Sequence, residues 1–299
     1  MSSINNVVLI GKGLLGSFVL PALVDAGFTV TLLGRSEKSK QGLPSGAKFQ
    51  VVDYTSIDSL EAAFRGQDAV VSTVGMEGIM GQKLMIDAAI KAGVKRFIPS
   101  DFGSSTTNPD AARFWHHIPM VEIQKYIKEK AEAGSIEYTI LSMGGFLEFV
   151  IQYDFLIDWK NKSVEIWGDG NAGFSATSLE GVGKAVAGIL KNLEPTKNRN
   201  IFVHEVVLSQ NKLLELAKKR SAPETKWNVT HVDDIEARLQ NAEKAAVEKQ
   251  DLPNTLALIK AAVLSGKFGA HYHQVDNDLV GLQLISDAEL EAKVAQLYA

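Results

Sequence analysis

The chain of 299 residues contains no cysteine, which excludes disulfides, thiolate metal sites and a cysteine nucleophile together and leaves redox compartment unreadable from thiols. A basic excess is missing too: 31 Lys and Arg stand against 35 Asp and Glu, for a net charge of −4. Such a balance gives no field to collect a phosphate backbone, so no nucleic-acid partner is expected. No apolar run approaches the roughly 18 residues that a spanning helix needs. The start, MSSINNVVLIGKG, lacks a basic segment ahead of an apolar one. The expectation is a soluble, cytoplasmic protein with no membrane partner and no bound metal. Repeats and low-complexity tracts are absent as well. What is present is 45% hydrophobic residues, ample for one large α/β domain or two modest ones.

Over the first 140 or so residues, short β-branched runs (NVVLI, FTVTLL, KFQVV, DAVVSTV, KRFIP, IEYTIL) alternate with segments of helical periodicity that mostly stop at glycine. Alternation of this kind predicts an α/β fold, a Rossmann-type doubly wound parallel sheet with helices on both faces. After Gly145 the alternation fails, which predicts a smaller α+β substrate domain. The expected division is 1–148 for the dinucleotide-binding domain, with segments near 176–206 returning to it, and mainly substrate domain over 149–299. The mixed-sign run 232–251 reads as a solvated helix face.

VVLIGKGLLGS is a strand running into Gly11, Gly13 and Gly16 and then a helix. Gly11 permits the tight turn, Gly13 lets backbone approach a pyrophosphate, and Gly16 allows close packing of helix on strand. The amides of Leu14 and Leu15 then face the phosphates from the helix start. At the end of the second strand, where an NAD enzyme usually carries Asp or Glu, stand Gly34 and Arg35, followed by Ser36, Lys38 and Lys40. A guanidinium grips a 2′-phosphate through paired charge-assisted bonds, so the expected cofactor is NADP(H). A basic loop merely exposed to solvent is the alternative.

The segments GKGLLGS, LLGRS, VVSTVGMEGIMGQKLMIDAAIKAGVKRFIPSDFG and IEYTILSMGGFLE resemble the NmrA-like branch of the atypical short-chain dehydrogenases, and within it the isoflavone reductase-like proteins. The resemblance covers about residues 5–190, with VKRFIPSDFG its most specific block. It implies an NADPH-dependent reductase of secondary metabolism acting on an aromatic or conjugated small molecule, as monomer or homodimer. Two departures stand out. Many relatives have one more residue in the glycine turn, and the position at which the resemblance implies a catalytic lysine is occupied by Met120. Tyr126 and Lys130 have the Y-x-x-x-K spacing of a short-chain dehydrogenase pair. With Pro119 at the first helical position, however, they lie roughly 10 and 16 Å down the helix, away from the strand ends where a cofactor binds. They are expected to be surface residues.

Residues 100–118 form a long connection, the expected lid or substrate loop. His116 and His117 at its end are the candidate acid or base, with a helix-start histidine bonded to backbone or water as the plainer reading. By position and by resemblance, Thr73, Val74 and Gly75 after the fourth strand, and Ser100, Asp101 and Phe102 after the fifth, are expected along the ribose and nicotinamide. Asp53 after the third is expected at the adenine edge or, alternatively, in a turn. Trp115, Met120, Gly145, Phe146 and Phe149 are the candidate substrate pocket, an aromatic lining that suits a planar phenolic or polyketide-like molecule. Loss of the lysine at Met120 also admits a second reading, a non-catalytic NADP(H)-binding sensor of NmrA-like type.

Overall fold

The computed structural model describes residues 3–103 and 105–297. Strands β1 (Asn6–Ile10), β2 (Thr29–Gly34), β3 (Lys48–Val51), β4 (Ala69–Ser72), β5 (Arg96–Ile98) and β6 (Glu137–Ser142) alternate with helices α1 (Gly16–Asp25), α2 (Ile57–Phe64), α3 (Gln82–Lys91) and α4 (Ile118–Glu132). Then come β7 (Gly145–Phe146), α5 (Leu147–Gln152), β8 (Ser163–Trp167), β9 (Phe174–Thr177), α6 (Leu179–Lys191), β10 (Arg199–Phe202) and β11 (Val206–Leu208). The chain closes with α7 (Gln210–Arg220), β12 (Asn228–Val232), α8 (Ile235–Glu248), α9 (Leu252–Leu264), α10 (Asn277–Val280) and α11 (Asp287–Leu297).

The main sheet is parallel throughout, in the order β10-β6-β5-β4-β1-β2-β3. This is a Rossmann-type arrangement whose strand order reverses between β1 and β4, opening a crevice beyond their carboxyl ends. Parallel strands are covered on both faces, and their sequences show it: Val7, Leu9, Val30 and Leu32 pack under α1 and α6, while Val8, Ile10, Leu33 and Val70 point to the opposite layer of α2, α3 and α4. Helix α6 is seated on α1 by small residues, since a Cβ at Gly183 would lie 2.8 Å from the Phe18 carbonyl oxygen. The strand after it, β10, extends the sheet beside β6.

The block VKRFIPSDFG is built around Arg96, which is fully buried in β5. Its guanidinium donates to Thr139 Oγ1 (2.8 Å), Thr196 Oγ1 (3.0 Å), the Leu193 carbonyl (2.8 Å) and Glu137 Oε2 (2.9 Å), joining β5, β6 and the α6–β10 connection. A third core gathers Trp159, Phe174, Leu213, Leu258 and Phe268 among α5, α7, α8, α9 and two small sheets, β11-β9-β7 and β12-β8. Helix α8 buries only Leu239 and Ala246, as its mixed charges predict. Among the described residues, no helix is long and apolar enough to cross a membrane.

Candidate active site

Gly11 follows β1 with φ +90°, a conformation that L side chains rarely adopt, and its N–H donates to the Leu33 carbonyl at 3.2 Å. A Cβ at Gly16 would stand 2.3 Å from the Gly11 oxygen and 2.7 Å from Thr73 Oγ1, whereas one at Gly13 meets nothing within 4 Å. The first and third glycines therefore close the turn, and the second leaves open space over it. Leu15 packs against the core under α1, while Leu14 is exposed. Thr73 is committed to this turn: its hydroxyl lies 2.9 Å from the Gly11 oxygen and 3.1 Å from that of Ile10. A buried threonine whose donor is already engaged serves the glycine turn more than a ribose.

At the end of β2 there is no room for the acidic side chain of an NAD enzyme, because a Cβ at Gly34 would lie 2.6 Å from that of Ser39. Arg35, Ser36 and Lys38 are exposed beside it, and Ser36 precedes the 3₁₀ turn Glu37–Lys40. The Tyr54 hydroxyl donates to the Leu33 carbonyl at 2.8 Å; burial pushes it up to about 12, against the pull of the nearby Arg35 charge. Asp53 is folded into a turn. Its Oδ1 accepts from the Thr55 hydroxyl at 2.7 Å and the Thr55 N–H at 2.8 Å, which hold the carboxyl below its usual range. An open glycine cradle beside Arg35, which makes no ion pair among the described residues, fits a 2′-phosphorylated dinucleotide. When bound, NADPH supplies a hydride.

Beyond β4 and β5 the side chains turn inward. Gly75 is exposed, Val74 is half-buried, and the Val74 carbonyl accepts the Ser100 hydroxyl at 2.8 Å. Ser100 N–H donates to Gln82 Oε1 at 2.7 Å. Phe102 is buried in the core under α1 and α6. Asp101 is 3% exposed, with Oδ1 accepting from Thr106 Oγ1 (2.8 Å) and Oδ2 from Gln124 Nε2 (2.6 Å). Burial raises its carboxyl above the usual range, opposed by those two bonds and by His117.

The two histidines divide. His117 Nδ1 lies 2.9 Å from the Ala111 carbonyl, the helix-start arrangement, and burial lowers its pKa. His116 is 5% exposed and neither ring nitrogen has a partner among the described residues. Its ring stacks on Phe114 at 6.0 Å and meets His117 at 4.1 Å. Burial, aided by His117, pushes it down to about 3. It is therefore neutral near pH 7 and can donate or accept a hydrogen bond, but it is no reservoir of imidazolium. Trp115 Nε1 beside it is also buried without a hydrogen-bond partner among the described residues.

Met120 packs half-buried against the core between the sheet and α2–α4. The side chain of α4 that reaches the end of β5 is Gln124, one turn further along. The sequence reading passed over Gln124 and Thr106; the available signal was the i, i+4 relation to Met120, which puts both residues on one helix face. Tyr126 corrects the expectation of a surface residue. It is half-buried against the α3 side of that core, and its hydroxyl donates to Asp87 Oδ1 at 2.6 Å, with Lys130 4.9 Å over its ring. Its spacing with Lys130 thus serves helix packing. Gly145 and Phe146 form β7 beside β9, and the exposed Phe149 stacks on Tyr153 at 4.3 Å. A groove of about 780 Å³ between α1, α6 and α10 touches none of these residues. It lacks convergent buried polar groups.

The NmrA-like family model matches residues 5–285. A protein named oxidoreductase aprR from Aspergillus flavus is 38% identical over 241 residues, 78% of each chain. A phenylcoumaran benzylic ether reductase from Pinus taeda is 31% identical over 238 residues, 74% of this chain and 76% of that one. Among solved structures, an isoflavone reductase superposes with a TM-score of 0.77 at 20% identity, covering 98% of this chain and 99% of the other. Leucoanthocyanidin reductase from Vitis vinifera gives 0.75 at 19% identity, covering 99% of this chain and 100% of that one. At these identities the two structures speak for the fold. The chain is an oxidoreductase of the NmrA-like family.

Proposed function

We propose that the protein is an NADPH-dependent reductase of an aromatic or conjugated small molecule, working in secondary metabolism. The observation that carries this reading is the pairing of an open cradle at Gly13 with Arg35 at a strand end that has no room for an acidic residue. The turn Gly11–Gly16 would hold the pyrophosphate, with Arg35, Ser36 and Lys38 on the 2′-phosphate. Loop 105–117 would hold the substrate, its aromatic wall of Phe114 and Trp115 suiting a flat ring and excluding water. The neutral ring of His116 would meet a substrate oxygen as a hydrogen-bond donor and polarise it. Asp101, held by Thr106 and Gln124, fixes the end of β5 and the start of the loop. The names of the relatives, a phenylcoumaran benzylic ether reductase among them, support the substrate class.

The test is NADPH consumption with a panel of isoflavones, lignans and polyketide quinones. Turnover of at least one aromatic class, faster with NADPH than with NADH, is expected. Tight NADPH binding with no turnover across the panel would favour the sensor reading opened by Met120.

A further inference from the structure

Lys12, the one charged residue inside the glycine turn, has no place in the reading above. From the turn after β1 its ammonium reaches across to donate to the backbone carbonyl of Gln41, and it lies 3.7 Å from where a Cβ on Gly42 would stand. No described carboxylate pairs with it; its acceptor is a neutral amide oxygen. The bond closes a ring. Gly11 is tied to Leu33 by its N–H at 3.2 Å, β2 continues through Gly34 to Arg35, the 3₁₀ turn Glu37–Lys40 packs on Gly34, and Gln41 returns to Lys12. Lys12, Arg35, Lys38 and Lys40 stand on this ring against a single acid, Glu37, in a protein whose net charge is −4. An exposed ammonium held by a neutral carbonyl exchanges it readily for a phosphate oxygen, because the phosphate adds the attraction of an opposite charge to the hydrogen bond.

We propose that Lys12 is a second ligand of the adenosine 2′-phosphate, approaching it from the glycine turn while Arg35 approaches from β2, and so helps set the preference for NADP(H) over NAD(H). The inference rests on the cofactor reading above. It also gives the shortened turn a purpose: with one residue fewer than many relatives, the turn presents a lysine stem to the adenosine end of the cofactor.

The experiment is calorimetric titration with two probes, adenosine 2′,5′-bisphosphate and adenosine 5′-monophosphate, on the parent, Lys12→Met and Lys12→Arg. The parent is expected to favour the bisphosphate. Lys12→Met should lose about tenfold in bisphosphate affinity, the low end for a hydrogen bond between charged groups, while the monophosphate changes less than about twofold. Lys12→Arg should recover most of the loss. A parent that does not distinguish the probes overturns the NADP reading and this proposal with it. A parent that does distinguish them, with Lys12→Met weakening both equally or neither, overturns the proposal alone, leaving Lys12 as a tie between two loops. Thermal melting of each variant confirms that the fold is retained.

Discussion

Replacing His116 by leucine should flatten the acid side of the stability profile. The imidazole has an ordinary pKa of about 6.5 in the unfolded chain, and its folded value is lowered to about 3 by burial and by His117. Between these values the unfolded state binds more protons than the folded state, so stability falls as the pH drops through that window and is fully present only above it. For one such group the loss from about pH 7 to about pH 5 is roughly 2 kcal/mol, since each unit of pH below the unfolded pKa costs up to about 1.4 kcal/mol. Urea unfolding of the parent and of His116→Leu at both pH values isolates this contribution, because other titrating groups act on both proteins. The parent should lose roughly 2 kcal/mol more than the variant on acidification. The two acid losses agreeing within about 0.5 kcal/mol would refute the reasoning. It would mean that the ring is solvated or paired in solution, and His116 would return as a candidate proton donor.

Three further outcomes follow from the geometry. Arg35→Ala should weaken NADPH binding by about 1.5–3 kcal/mol and leave NADH nearly unchanged, as calorimetry of both cofactors would show. Arg96→Met removes the buried guanidinium that joins β5, β6 and the α6–β10 connection, and should cost about 3–5 kcal/mol in urea unfolding because Thr139, Thr196 and the Leu193 carbonyl lose this donor together and Glu137 keeps only Lys197. Tyr126→Phe deletes one hydrogen bond to Asp87, should cost about 1 kcal/mol, and should leave turnover within about twofold, which a steady-state assay beside a melt would establish.

Fold class was legible because parallel strands buried on both faces leave nearly continuous β-branched runs, and glycine ends the helices between them. NVVLI and DAVVSTV could hardly be anything else. The glycine turn was legible for the same local reason: three backbone requirements fall on three named positions. What local pattern could not supply was the direction of side chains after β4 and β5. Thr73, Ser100 and Asp101 sit where a cofactor is expected, yet their polar atoms bond to Gly11, Val74, Thr106 and Gln124, partners up to 62 residues away. Gln124 escaped notice because its i, i+4 relation to Met120 says which helix face it shares but not what it bonds, and its role is set by the buried Asp101 carboxylate beyond β5. Tyr126 departs in another way: its pattern with Lys130 places it on the helix surface, yet its ring is half-buried and Asp87 on the neighbouring helix takes its hydroxyl. The sequence leaves His116 and His117 equivalent; the loop geometry distinguishes them, with the Ala111 carbonyl 2.9 Å from the ring of His117 and no hydrogen-bond partner for that of His116 among the described residues.

The central claim is hydride transfer from NADPH to an aromatic acceptor bound against loop 105–117. Its most direct test is a single turnover with NADPH deuterated on the transferable carbon, using whichever panel compound is consumed, followed by mass spectrometry of the product. The account predicts one deuterium on the product carbon that is reduced, with little labelled product when NADH deuterated on the same carbon replaces NADPH at equal concentration. Product carrying no deuterium, or NADPH bound and never oxidised with any panel member, would contradict it.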